Sequence, residues 1–158
     1  MRLIRSIVLA AVLLGAAAPA YADFTFFVGS NQTPTNRPLK GFAISGSGMA
    51  TTGFEYANNG DDVEEGTPGL RTFMGNLLVQ TPIAVFRFQP YATAGIGYYR
   101  ERLDEETESG LVFNSGVGFK ATIFGPLKAR VDYRVLKLRG EPLYGTVHRV
   151  YSGIHLAF

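Results

Sequence analysis

Apolar side chains recur at every second position along most of this chain. The clearest run is 127–138, where Leu127, Ala129, Val131, Tyr133 and Val135 alternate with Lys128, Arg130, Asp132 and Arg134. The last run, 148–158 (HRVYSGIHLAF), puts Val150, Ile154, Leu156 and Phe158 in one row, broken only by Ser152. Tyr151, Gly153, His155 and Ala157 form the other row. Successive side chains of a strand point to opposite faces of its sheet, so a period of two predicts strands with one apolar and one mixed face.

Six further segments follow that period. In 23–30, Phe24, Phe26 and Val28 share a face; 41–48 alternates Phe42 and Ile44 with small residues; in 52–58, Phe54 and Tyr56 stand opposite Glu55. In 69–80, Phe73, Leu77 and Val79 oppose Thr72, Met74 and Leu78; in 86–102, Tyr91, Thr93 and Tyr99 oppose Ala92, Ile96 and Tyr98. The sixth is 110–123, with Phe113, Val117 and Phe119 against Asn114, Gly118 and Lys120. Polar stretches rich in Pro, Gly, Asn and Asp separate the runs and read as connections. Long ones (31–40, 59–68, 103–109, 139–147) alternate with short ones (49–51, 81–85, 124–126). That pattern predicts an all-β fold, an eight-stranded antiparallel up-and-down β-barrel whose long loops share one end and whose termini share the other.

Composition decides what surrounds such a sheet. Residues 1–22 read as a cleaved signal peptide: Arg2 and Arg5, an apolar stretch over 7–18, then Ala20-Tyr21-Ala22 before Asp23. The barrel domain is then 23–158. Both leader charges are arginines, so 15 Lys and Arg against 13 Asp and Glu become equal numbers once the leader is gone. A formally neutral domain gives no electrostatic support for nucleic-acid binding. Cysteine is absent, so no disulfide holds this exported domain together. No stretch beyond residue 22 has the ~18 apolar residues of a membrane helix, a limit that leaves membrane-crossing strands open.

Alternation alone does not say which row faces water. In a soluble barrel the apolar row is the core; in a transmembrane β-barrel it meets lipid and the polar row lines the lumen. Charges of both signs on 127–138 and an apolar row running to an aromatic Phe158 favour lipid. Eight strands leave a lumen only wide enough for side chains, so no open pore is expected. Glu55, Glu101, Lys120, Lys128, Arg130, Asp132 and Arg134 are expected inside, as a structural charge network. Tyr98, Tyr99, Tyr133 and Tyr144 are candidates for an interfacial aromatic girdle. A soluble periplasmic lipocalin-like barrel binding a small apolar ligand is the alternative.

Val150, Ile154, Leu156 and Phe158 resemble the C-terminal assembly signal of bacterial outer-membrane barrels. With the strand count and loop alternation, the mature chain resembles the OmpA/OmpX-like family of small outer-membrane β-barrels. That resemblance implies a bacterial outer-membrane location and a structural, envelope-stabilising or adhesion-like role. It also implies, as partners, the barrel-assembly machinery, outer-membrane lipid and lipopolysaccharide, and a monomeric state. With the chain ending at Phe158, the peptidoglycan-binding domain of OmpA itself is not expected. Some barrels of this size are lipid A deacylases with a His-x-Ser pair. Here the residues two after His148 and His155 are Val150 and Ala157, and Ser152 lies four residues beyond His148, roughly 13 Å along a strand. No catalytic residue, cofactor or metal ligand is therefore expected. Acidic runs at Asp61, Asp62, Glu64, Glu65 and at Asp104, Glu105, Glu106, Glu108 carry eight of the 13 acidic residues and read as solvated loops. Arg71, Arg100 and Arg102 fall at strand ends, where rim arginines snorkel or meet lipid phosphates.

Overall fold

A computed structural model describes residues 22–158. The expected leader therefore lies outside the described residues, apart from Ala22, which opens the first strand. The eight strands are β1 (Ala22–Asn31), β2 (Arg37–Gly46), β3 (Ala50–Asn59), β4 (Gly69–Gln80), β5 (Phe88–Leu103), β6 (Glu106–Phe124), β7 (Leu127–Leu138) and β8 (Thr146–Leu156). Each pairs antiparallel with its neighbours in sequence, and β8 returns to β1 to close the barrel. Closure removes the free edges that would leave a row of backbone N–H and C=O groups unpaired.

The expected boundaries shift where proline and acidic residues mask strand. The stretch 31–40 was expected to be a loop, yet β1 continues to Asn31 and β2 begins at Arg37. Pro38 is tolerated because it pairs with Ser30 of β1 at a point where β3 has not yet joined the ladder, so its missing N–H costs no bond on that side. β2 ends at Gly46, the turn moves back to 47–49, and β3 starts at Ala50. The acidic stretch 103–109 is mostly strand: only Asp104 and Glu105 connect Leu103 to Glu106, with Asp104 in the left-handed region at φ 56°. Asp tolerates that conformation, and the two-residue turn lets β5 and β6 rise as a hairpin past the point where β7 joins. At the other end Phe86 and Arg87 belong to the connection 81–87, not to β5, and Gly125-Pro126 makes the tight turn before β7.

Register sets the two faces. Phe24, Phe26, Val28, Phe42, Phe54, Phe73, Ile96 and Phe113 all point outward, and several remain about half exposed. The opposite row points into the barrel and is buried. Glycines on the inner row let the walls approach. A Cβ on Gly97 would sit 2.0 Å from the Phe73 carbonyl oxygen and 2.6 Å from Met74 Cα, both backbone atoms that cannot swing away.

Substituting Gly97→Ala is expected to destabilise the barrel by about 1–3 kcal/mol, the range for overpacking. Gly60→Ala, which meets nothing within 4 Å, should be near neutral. Urea unfolding of the two variants side by side measures the difference.

A candidate functional site in the lumen

The inner row of β7 carries Lys128, Arg130, Asp132 and Arg134 at alternate positions, so one strand projects four charges towards the barrel axis. Burying such charges is tolerable only where each finds an opposite charge or a hydrogen bond. Asp132 is the hub. Its carboxylate accepts from Arg130 Nε at 2.7 Å and Nη2 at 3.1 Å, from Arg134 Nη2 at 3.2 Å, and from the Tyr91 hydroxyl. Arg130 Nε also donates to the Tyr91 oxygen at 2.6 Å. Arg134 then crosses the lumen to Glu55 of β3, Nη2 to Oε2 at 3.2 Å, and donates to Asn114 Oδ1 at 3.1 Å. The Tyr151 hydroxyl donates to the same Glu55 oxygen at 2.8 Å, and its ring lies under the Arg134 guanidinium at 5.6 Å.

Two extensions reach the ends of the barrel. Towards the end away from the termini, Arg149 stands 4.0 Å from Glu55 and donates to Asn31 Oδ1 at 2.9 Å and Thr72 Oγ1 at 3.1 Å. Asn31 then donates to Asn59 Oδ1 at 2.6 Å. Near the termini, Asp23 lies 3.3 Å from His155 Nε2 and 4.0 Å from Lys120 Nζ, and accepts from Ser47 at 2.7 Å. Thr25 Oγ1 is 2.8 Å from His155 Nδ1. Beside this polar column an apolar cluster of Leu70, Met74, Tyr99, Val112, Leu136, Leu138 and Val147 fills the far half of the lumen.

The expected network residues divide into four groups. Glu55, Arg130, Asp132 and Arg134 meet in one cluster, and Lys120 faces inward but joins Asp23 at the terminal end. Lys128 is half-exposed at that mouth and makes no ion pair among the described residues. Glu101 points inward but lies at the far end, where it accepts from the Leu143 backbone N–H at 2.9 Å instead of pairing with an arginine. The expectation that Glu101 would join the charge network with β7 is thus corrected: register places it two positions beyond Tyr99 and opposite Leu70, at the far edge of the apolar cluster. Tyr99 is corrected as well. It is buried in the lumen and donates to the Arg139 carbonyl at 2.9 Å, so it is no girdle residue, whereas Tyr98 points outward.

Arg149, Tyr151, Tyr91, Asp23 and His155 escaped the sequence reading. The signal was parity: Arg149 shares the inner row with Tyr151 and His155, just as Asp23 does with Thr25. Parity also separates the two histidines. His155 is inside, while His148 is outside with its Nδ1 2.7 Å from the Tyr133 hydroxyl. Thr25, His155 and Asp23 do fall in hydroxyl, imidazole, carboxylate order, an arrangement shared with serine hydrolases. Thr25 and His155 are 1% and 0% exposed, so the hydroxyl meets packed protein and the three groups tie β1 to β8. A soluble binding barrel needs the apolar row inside around a cavity. Here that row faces outward, and Arg134, Arg149 and Tyr151 are fully buried in the space a ligand would take.

Asp132→Ala leaves Arg130 and Arg134 buried with one counter-charge fewer, and is expected to cost about 3–5 kcal/mol in urea unfolding. Replacing Glu55 and Arg134 together by Leu and Met should cost less than the sum of the single changes, because the pair then leaves no orphaned charge. A double-mutant cycle measures that coupling, and strict additivity would mean that the two groups do not interact.

No family model matches this chain, and no curated sequence matches it. Solved structures do. The N-terminal β-barrel domain of Pseudomonas aeruginosa OprF superposes with a TM-score of 0.67 at 14% identity, covering 87% of this chain and 96% of that one. Neisserial surface protein A gives 0.63 at 11% identity, covering 87% and 94%. The de novo designed barrel TMB2.3 gives 0.53 at 18% identity, covering 90% and 97%. At such identities the likeness carries the fold: this chain is a closed, all-antiparallel eight-stranded β-barrel that resembles the small OmpA/OmpX-like barrels and matches the OprF and NspA barrels in architecture.

Proposed function

We propose that the chain is a small integral β-barrel of the bacterial outer membrane, closed to solutes, with a structural role in the envelope and loops that meet the cell's surroundings. One observation carries this reading: the barrel is inside out by the standards of a water-soluble protein. The belt of its outer wall is built of Phe, Ile, Leu and Val, while Glu55, Arg130, Asp132, Arg134 and Arg149 are sealed within. In water such a surface would far exceed the few hundred Å² of contiguous apolar patch that a soluble monomer exposes. Surrounded by hydrocarbon it is the favoured surface, and closure satisfies the backbone hydrogen bonds that lipid cannot. Likeness to the OprF and NspA barrels supports the same reading. The packed lumen argues for a scaffold over a channel, and Val150, Ile154 and Leu156, on the outer face of β8, stand where assembly machinery would read them.

Two measurements test the location. Folded in detergent, the barrel should keep its compact mobility in cold SDS and shift only after boiling. Ile96→Arg puts a cation in the middle of the outer apolar belt, between Gly75 and Phe113. It should cost roughly 2–4 kcal/mol of stability in vesicles if lipid surrounds that site, whereas a barrel surrounded by water would tolerate or welcome the change. Vesicles containing the wild-type barrel should admit glucose no faster than empty ones.

A further inference from the structure

Among the described residues the outer wall carries isolated exposed cations such as Lys40 and Lys137, and at one place two arginines stand directly opposite each other. Arg71 of β4 and Arg100 of β5 are direct cross-strand partners, and both are exposed. Arg102 is the next outward residue of β5, diagonal to Arg71 and opposite Gly69. Like charges directly opposite on one sheet face destabilise the pairing. Among the described residues, none of the three forms an ion pair with a carboxylate; Arg102 Nε donates only to the Asp104 carbonyl, at 3.1 Å. The arginines line a shallow recess of about 320 Å³ together with Asn58, Asn59 and Thr107. Asp61, Asp104 and Glu105 border its upper side. Asp104 is four residues beyond Arg100, in the turn that follows β5, away from the belt.

What lies below the pair gives the recess its direction. The next outward pair is Phe73 with Tyr98, and Phe73 stacks on Phe54 with ring centres 6.0 Å apart. Ile96 and Leu77 continue the apolar wall beyond. The sequence of surfaces, from the far end inward, is therefore guanidinium, aromatic, aliphatic. A membrane lipid presents the same order of chemistry: an anionic phosphate, an interfacial region and acyl chains. Two guanidiniums on one face offer the planar donor fork that phosphate oxygens accept.

Resting on the membrane reading above, we propose that Arg71, Arg100 and Arg102 form a binding site for the phosphate of an outer-leaflet glycolipid, whose acyl chains lie against Phe54, Phe73 and Tyr98. The bound phosphate supplies the counter-charge that the Arg71–Arg100 pair lacks within the protein. The site is one-sided. In the same ladder row the neighbouring outward residues are Asn58 on β3 and Ser109 on β6, and beyond Asn58 stands the single lysine Lys40 of β2, so adjacent guanidiniums are confined to the β4–β5 wall.

The test is native mass spectrometry of the detergent-folded barrel with bisphosphorylated lipid A and, separately, with the same lipid stripped of its phosphates. The wild-type barrel should retain the phosphorylated form about tenfold or more over the stripped one. The R71Q/R100Q/R102Q variant should lose that preference, by roughly tenfold to a hundredfold. A control variant, K137Q/R139Q, removes exposed cations elsewhere and should keep it. Cold-SDS mobility reports folding of every sample. Equal retention of both lipids by the wild type, or undiminished preference in the triple variant, overturns the site and leaves the membrane reading standing. A wild-type chain that forms no heat-modifiable barrel overturns the membrane reading, and this site with it.

Discussion

The pairing of β8 with β1 is the contact on which the rest of the structure depends. It joins residues about as far apart in sequence as the domain allows, from Phe24 against Leu156 to Asn31 against Arg149. Without it the sheet has two long edges with unpaired backbone groups, a state that neither lipid nor a packed interior tolerates. With it, every inner side chain is committed to a space only eight strands wide. The Thr25–His155–Asp23 contacts and the Arg149–Asn31 bond lie directly across that seam, so the same residues that close the backbone also anchor both ends of the polar column.

Closure makes the lumen a matching problem. β7 brings alternating charges that include more cations than anions, and the opposite wall must answer them. Glu55 does so from β3, with Tyr151 donating to Glu55 and Asn114 accepting from Arg134. Asp132 answers from within β7 itself, held between two arginines two residues away on either side. Pairing makes such burial tolerable but is weak grounds for great stability, because desolvation offsets most of the Coulombic gain. Its consequence here is geometric: a cross-lumen mesh with rings packed against guanidiniums fills the middle of the lumen. The outer wall follows the opposite logic. There an exposed cation needs no partner unless it is placed beside another, which is what sets Arg71 and Arg100 apart from ordinary rim arginines.

Much of this was legible from spacing. The period of two on 127–138 and 148–158 identified strands, and the mixed signs on β7 identified an inner face. Boundaries were less legible, and the reasons are local. Pro38 looked like a loop residue because proline removes a donor, but whether that donor is needed depends on where a third strand joins. Asp104 to Ser109 looked like a solvated acidic run, but a two-residue turn with Asp104 at positive φ converted most of it into strand. Tyr98 and Tyr99 are neighbours in sequence and sit on opposite sides of the wall, a difference that composition cannot register.

By itself the sequence determined the strand period, the number of strands and the antiparallel order, because alternation and turn chemistry are short-range properties. Only the tertiary structure decided which of Glu55 and Glu101 meets Arg134, that Arg149 and His155 complete the column, and that Arg71 stands directly beside Arg100. Those facts depend on the relative stagger of strands distant in the chain. Stagger is set jointly by all eight ladders when the barrel closes, so no single segment carries it.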